Sequence, residues 1–178
     1  YAVRVGIDNT RPNLSGMLFD ARLPAGGKPA NQLTVLFNYY NRAEWRYDSA
    51  SGTYLRWIED MKDEDTVYTM IPLVDRNSGQ QLAFHNVVVL FAEYTEIKPA
   101  KHQINLQGGH GRAVLFRGGQ MFEARWAAPK ADAPILFMDA SGAPLAFQPG
   151  NTWVVLAGLN SPFGEPRAGQ WEMVFMLP

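Results

Sequence analysis

The stretch RAVLFRGGQMFEARW, residues 112–126, decides the fold. Two apolar-rich runs with period-two alternation meet at Gly118-Gly119. A two-residue hairpin loop of type I′ needs positive φ at both central positions, and glycine supplies it without a steric penalty. A loop of that length also fixes the register. Ala113, Leu115, Phe122, Ala124 and Trp126 then share one face, the expected core. Arg112, Glu123 and Arg125 gather on the other as a cross-strand charge cluster.

The same pattern extends outward in both directions. Upstream, Val87-Val88-Val89-Leu90-Phe91 is apolar at every position, the mark of a central strand covered on both faces. Val88 and Leu90 are therefore expected in the core, with Trp153 from a later strand. Further upstream, residues 43–48 and 53–58 flank Ser49-Ala50-Ser51-Gly52 and read as a hairpin with a four-residue loop. Tyr54, Trp57, Ile58 and Met61 also fit helical spacing, but a Ser-Gly turn between aromatic-rich runs favours the hairpin. Residues 33–39 and 67–74 read as strands, and so do Tyr1, Val3, Val5 and Ile7 with their alternating neighbours. Downstream, residues 135–139, 145–147, 152–157 and 171–177 continue the series. About a dozen short strands and no long helical period predict an all-β, mainly antiparallel fold, a sandwich or a partly closed barrel.

The chain has 178 residues, 47% hydrophobic and 19% charged, which is globular rather than disordered composition. Its formal net charge of −1 lacks the basic footprint of a nucleic-acid binder. Without cysteine there is no disulfide, no thiolate metal site and no cysteine nucleophile. No apolar stretch approaches the roughly 20 residues needed for a membrane-spanning helix. The breaker cluster Leu23-Pro24-Ala25-Gly26-Gly27-Lys28-Pro29 reads as a linker or a broad turn. A family resemblance carried by segments within residues 33–156 implies that residues 1–32 are the tail of a mostly missing N-terminal domain plus linker and residues 33–178 a β-rich C-terminal domain.

Chemistry-bearing groups are sparse. His85, His102 and His110 have no metal-ligand spacing, so no cofactor or metal is expected, and His85 is expected to be satisfied by a hydrogen bond. No serine occupies a G-x-S-x-G elbow. Asp60, Asp63, Glu64 and Asp65 allow calcium by composition but lack an EF-hand spacing, and read as a solvated acidic loop. Gly108-Gly109-His110-Gly111 offers amides to an anion but reads more simply as a tight connection needing positive φ. The 43–58 hairpin is the richer feature. Its register places Tyr47 opposite Tyr54 and Trp45 opposite Arg56, so Trp45, Tyr47, Tyr54 and Arg56 share a face. For an all-β protein the favoured reading is that these aromatics pack into the core; the sharper hypothesis is that Trp45, Tyr47, Tyr54 and Arg56 form a cation–π contact platform for a ligand or for the N-terminal domain, while Leu55 and Trp57 reach the core.

Several segments resemble the YerB-like family of bacterial lipoproteins. They are Glu44-Trp45-Arg46-Tyr47-Asp48 followed by Tyr54-Leu55-Arg56-Trp57, then Asn86-Val87-Val88-Val89, GRAVLFRGGQ at 111–120 leading to Trp126, and Pro149-Gly150-Asn151-Thr152-Trp153. They occur in the family's order over roughly residues 33–156, its C-terminal domain. Where the family often carries a histidine before the Asp65-Thr66 region, this chain has Met61-Lys62-Asp63-Glu64. The resemblance implies an extracytoplasmic protein of the cell envelope, anchored through a lipid on a part outside this chain. Its implied partners are its own N-terminal domain and an envelope polymer or protein. The family has no established function. The resulting expectation is a non-catalytic binding or interaction module. The alternative is an enzyme acting on an envelope polymer, to which Asp48, Glu123 or Asp139 would contribute a carboxylate pair.

Overall fold

A computed structural model describes residues 16–38, 41–60, 69–130 and 133–177. The strand expected at residues 1–7 and most of the acidic loop, Asp63, Glu64 and Asp65 included, lie outside them. Fourteen strands and no helix are found among the described residues. They are β1 (Lys28–Pro29), β2 (Gln32–Asn38), β3 (Asn41–Asp48), β4 (Thr53–Asp60), β5 (Thr69–Pro72), β6 (Ala83–Phe84) and β7 (Asn86–Lys98). After these come β8 (Lys101–Asn105), β9 (His110–Arg117), β10 (Gln120–Ala127), β11 (Leu136–Met138), β12 (Thr152–Gly158), β13 (Phe163–Arg167) and β14 (Gln170–Val174).

They form two sheets. The first runs β1-β10-β9-β7-β12, with β11 beside β10 and β8 beside β7. The second runs β13-β14-β2-β3-β4-β5, with β6 beside β4. The architecture is an all-β sandwich, not a closed barrel. Pairing is mostly antiparallel, with two parallel exceptions, β12 on β7 and β14 on β2.

The β9–β10 hairpin has the expected register, closed by Arg117 opposite Gln120, with Leu115 facing Phe122 and Arg112 facing Arg125. Gly118 and Gly119 hold φ of 54° and 71°, both in the left-handed region the tight turn demands. The β3–β4 hairpin also pairs as read, which settles the helical alternative for residues 54–61.

Two cores result. Val87, Val89, Phe91, Val114 and Phe116 of the first sheet pack against Leu33, Val35, Trp45, Tyr54 and Trp171 between the sheets. On the first sheet's other face, Val88, Leu90, Ala113, Leu115, Phe122 and Trp126 cluster with Phe137 of β11 and with Leu145 and Phe147 of the segment that follows it. The all-apolar run 87–91 is thus explained: β7 is buried on both faces. Each fully buried Val, Leu or Phe contributes about 1.5–3 kcal/mol relative to exposure. Trp153 departs from expectation, being half-buried against the edge of the inter-sheet core.

Two buried polar residues tie the outer segments down. Arg117, 1% exposed, donates to the carbonyls of Ala146, Asp20 and Arg22 at 2.7, 2.8 and 3.1 Å. Asn86 donates to Gln148 O and accepts from Gln148 N, clamping the approach to β12. Segment 145–147 is no strand, but joins Phe19 in an isolated bridge. Lys28 and Pro29 of the expected linker pair with Met121 and Gln120 of β10.

Candidate functional site

The 43–58 hairpin brings its four singled-out residues onto one face, with Trp45 opposite Arg56 and Tyr47 opposite Tyr54. That face turns inward, as the core reading of these aromatics has it and not as the outward platform would. Trp45 and Tyr54 are 0% exposed and Arg56 only 6%, with Tyr47 half-buried. The Tyr54 hydroxyl donates to Ala30 O at 2.9 Å, and its ring meets Tyr47 at 5.2 Å. Burial raises the Tyr54 pKa well above that of a free phenol. Arg56 lies over Trp45 at 4.1 Å and near Trp153 at 5.3 Å, and donates to Trp57 O. Burial pulls its guanidinium down to about 10. The outward face carries a second cation–π pair, Arg46 over Trp57 at 4.2 Å, with Glu44 bridging Arg46 at 2.6 Å. The reason is areal. Two tryptophan-bearing faces alternate along the ribbon, and the one with Trp45, Tyr47 and Tyr54 buries more apolar surface.

The open feature lies elsewhere, at the Arg112–Glu123–Arg125 cluster. Val114, Phe116 and Met121 of β9 and β10 belong to the inter-sheet core, and by alternation Arg112, Glu123 and Arg125 project from the same face. There the floor of the first sheet is left uncovered, forming a groove of about 600 Å³. His110 and Arg112 line it from β9, Glu123 and Arg125 from β10, and Met138 and Ala140 from β11 and beyond. Register puts Met138 beside Arg125.

The charges in this groove differ in freedom. Arg112 is fixed over Phe91 and Phe163 at 5.0 and 5.1 Å and pairs with Glu123 at 3.3 Å. Arg125 is exposed and has no ion-pair or hydrogen-bond partner among the described residues. Two guanidiniums against one carboxylate leave the floor with an excess positive charge. A second hollow of about 360 Å³ adjoins it, sharing Glu123 and Ala140 and adding Lys28, Asp139 and Ser141. A concave site of this size with an apolar floor and a few polar groups is the usual form of a ligand site.

The three candidate carboxylates are all committed to other contacts. Asp139 accepts from Ser141 N, Ser141 Oγ and Ala143 N, and hydrogen bonding led by Ser141 lowers its pKa. Asp48 accepts from the amides of Ala50 and Ser51 in the β3–β4 turn and is lowered likewise, Ser51 contributing most. Glu123 faces Arg112. His85 Nδ1 meets Asn151 Oδ1 at 2.9 Å, as a satisfied histidine should. No cluster of three or more metal-ligating side chains exists among the described residues. The alternation of β9 and β10 places Arg112, Glu123 and Arg125 together but not beside a groove, because nothing in it tells where the second sheet stops covering the first.

The molecule is therefore a two-sheet β-sandwich whose open groove lies on the floor of one sheet. The family model described as protein of unknown function (DUF3048), C-terminal domain, matches residues 33–154, and the chain belongs to that family. The crystal structure of YerB protein from Bacillus subtilis shares the fold, with a TM-score of 0.61 and 24% identity. The match covers 88% of this chain and 48% of that one, so this chain spans about half the length of that structure. No curated protein matches.

Proposed function

We propose that this domain is a non-catalytic binding module of the bacterial cell envelope, and that its contact surface is the uncovered floor bearing Arg112, Glu123 and Arg125. The reading fits an extracytoplasmic protein whose lipid anchor and N-terminal domain lie on other parts of a longer chain. The carrying observation is Arg125, unpartnered among the described residues, on a concave, largely apolar sheet floor beside an already fixed Arg112–Glu123 pair. Such a surface suits an extended chain that offers a carboxylate or another anionic group to Arg125 while lying flat across Ala127 and Met138. Guanidinium–carboxylate recognition gains geometric specificity from paired hydrogen bonds, and arginine is a usual interface anchor.

The test is retention of envelope polymer or envelope protein on immobilised wild-type chain and on Arg125→Glu and Ala127→Glu. Both changes lie on the floor and outside the two cores. Retention by wild type and loss in both variants, at unchanged melting temperature, supports the reading. Equal retention by all three contradicts it.

A further inference from the structure

The first sheet ends on β12, whose far side meets no described strand. Its sequence, TWVVLAG, contains no charge, no proline and no bulge within the strand. Exposed strand edges are ordinarily blunted by such devices, because unpaired backbone groups template pairing with another chain. Their absence from a seven-residue edge calls for an occupant.

The direction of the free backbone groups follows from the register. Asn86 N donates to Asn151 O at 3.2 Å, and Thr152 is the residue opposite Asn86. In a parallel ladder this makes residues 151, 153, 155 and 157 bond toward β7. Thr152, Val154 and Leu156 consequently aim both N–H and C=O outward. Val154, at the centre of this set, is 50% exposed although it is a valine in a sheet.

We propose that β12 pairs with β12 of a second copy of this chain, antiparallel about a twofold axis at Val154. The set is complementary to itself. Rotation about Val154 places Thr152 opposite Leu156 of the copy and Val154 opposite its own counterpart. Each of the three facing pairs exchanges two backbone hydrogen bonds, and the two exposed valine side chains cover each other on one face. A strand without charge meets its copy with no like-charge repulsion, whereas a charged partner strand would find nothing on this edge to complement. The pairing is independent of the groove on β9, β10 and β11, which lies across the sheet.

Sedimentation equilibrium over a range of concentrations tests this. Wild type is expected to shift from monomer to dimer mass as concentration rises. Val154→Lys should weaken association about a hundredfold or more, since it sets like charges face to face. Val154→Pro should do the same by deleting the outward N–H while sparing the bonds to β7. Far-UV circular dichroism melts of both variants show whether the monomer stays folded, and if one variant misfolds the other decides. A wild-type chain that stays monomeric throughout, or a dimer that survives the substitution in a folded variant, overturns the proposal.

Discussion

The guanidinium carbon of Arg56 sits 4.1 Å from the ring centroid of Trp45, inside the sandwich, with no carboxylate paired to it among the described residues. The contact exchanges hydration for a ring quadrupole, and the Arg56 Nε and Trp45 Nε1 atoms are left without hydrogen-bond partners. Cation–π attraction offsets part of that cost, about 2 kcal/mol when desolvated. Arg56→Met keeps much of the volume and removes the buried charge, so it should melt at or above wild type. Arg56→Ala leaves a void between Trp45 and Trp153 and should melt several degrees lower. Differential scanning calorimetry of the pair separates packing from charge. An equal loss in both would mean that the charge itself is required.

Trp126 anchors the outer core, and its Nε1 donates to Phe91 O at 2.8 Å. Trp126→Ala should cost about 3–5 kcal/mol by the usual range for a buried aromatic. Trp126→Phe should cost about 1–3 kcal/mol, because the Phe91 carbonyl loses its side-chain donor. Urea unfolding at fixed m-value measures both. A midpoint unchanged in Trp126→Ala would refute the burial.

Gly119 combines a φ of 71° with a close neighbour, since an added Cβ would lie 2.8 Å from Tyr47 Cε1. Gly119→Ala is expected to destabilise by at least about 1–2 kcal/mol through the left-handed conformation alone. Adding Tyr47→Leu should recover only the steric part. A thermal shift of zero in the single variant would show that the turn relaxes at no cost.

Asp139 accepts hydrogen bonds only in its charged form at full strength, and its pKa is lowered in the folded state. A carboxyl lowered on folding stabilises above its unfolded pKa, about 3.9, and that contribution is lost as pH falls through the folded value. Wild type should therefore lose stability below about pH 4 more steeply than Asp139→Asn, which carries no titrating group there. Acid unfolding followed by tryptophan fluorescence tests the difference, and parallel curves would contradict it.

These side chains also mark what the sequence made legible. The β9–β10 register could be read because a Gly-Gly loop leaves one pairing, and the coverage of β7 because no polar residue interrupts residues 87–91. The inward turn of Trp45 and Tyr54 follows from the usual fate of aromatics in an all-β fold, but the burial of Arg56 with them does not, since both faces of that ribbon carry an arginine beside a tryptophan and alternation alone is symmetric. Arg117 was missed as a staple because its partners are backbone carbonyls, which no side-chain pattern records. The parallel pairings and β13, with its Pro166, depend on contacts distant in sequence. The groove depends on where one sheet ends over another, a tertiary property that gives Arg125 its exposure.

On the proposed reading, the floor around Arg125 receives an anionic group on an extended chain. This is tested most directly by amide NMR titration with two probes, the capped tripeptides acetyl-Ala-Asp-Ala-amide and acetyl-Ala-Lys-Ala-amide. The Asp peptide should shift the amides of His110, Arg112, Glu123, Arg125 and Met138 in a saturable manner. The Lys peptide should not, and Arg125→Glu should abolish the response to the Asp peptide. Shifts that fall elsewhere, that are the same for both peptides, or that persist in Arg125→Glu would contradict the claim.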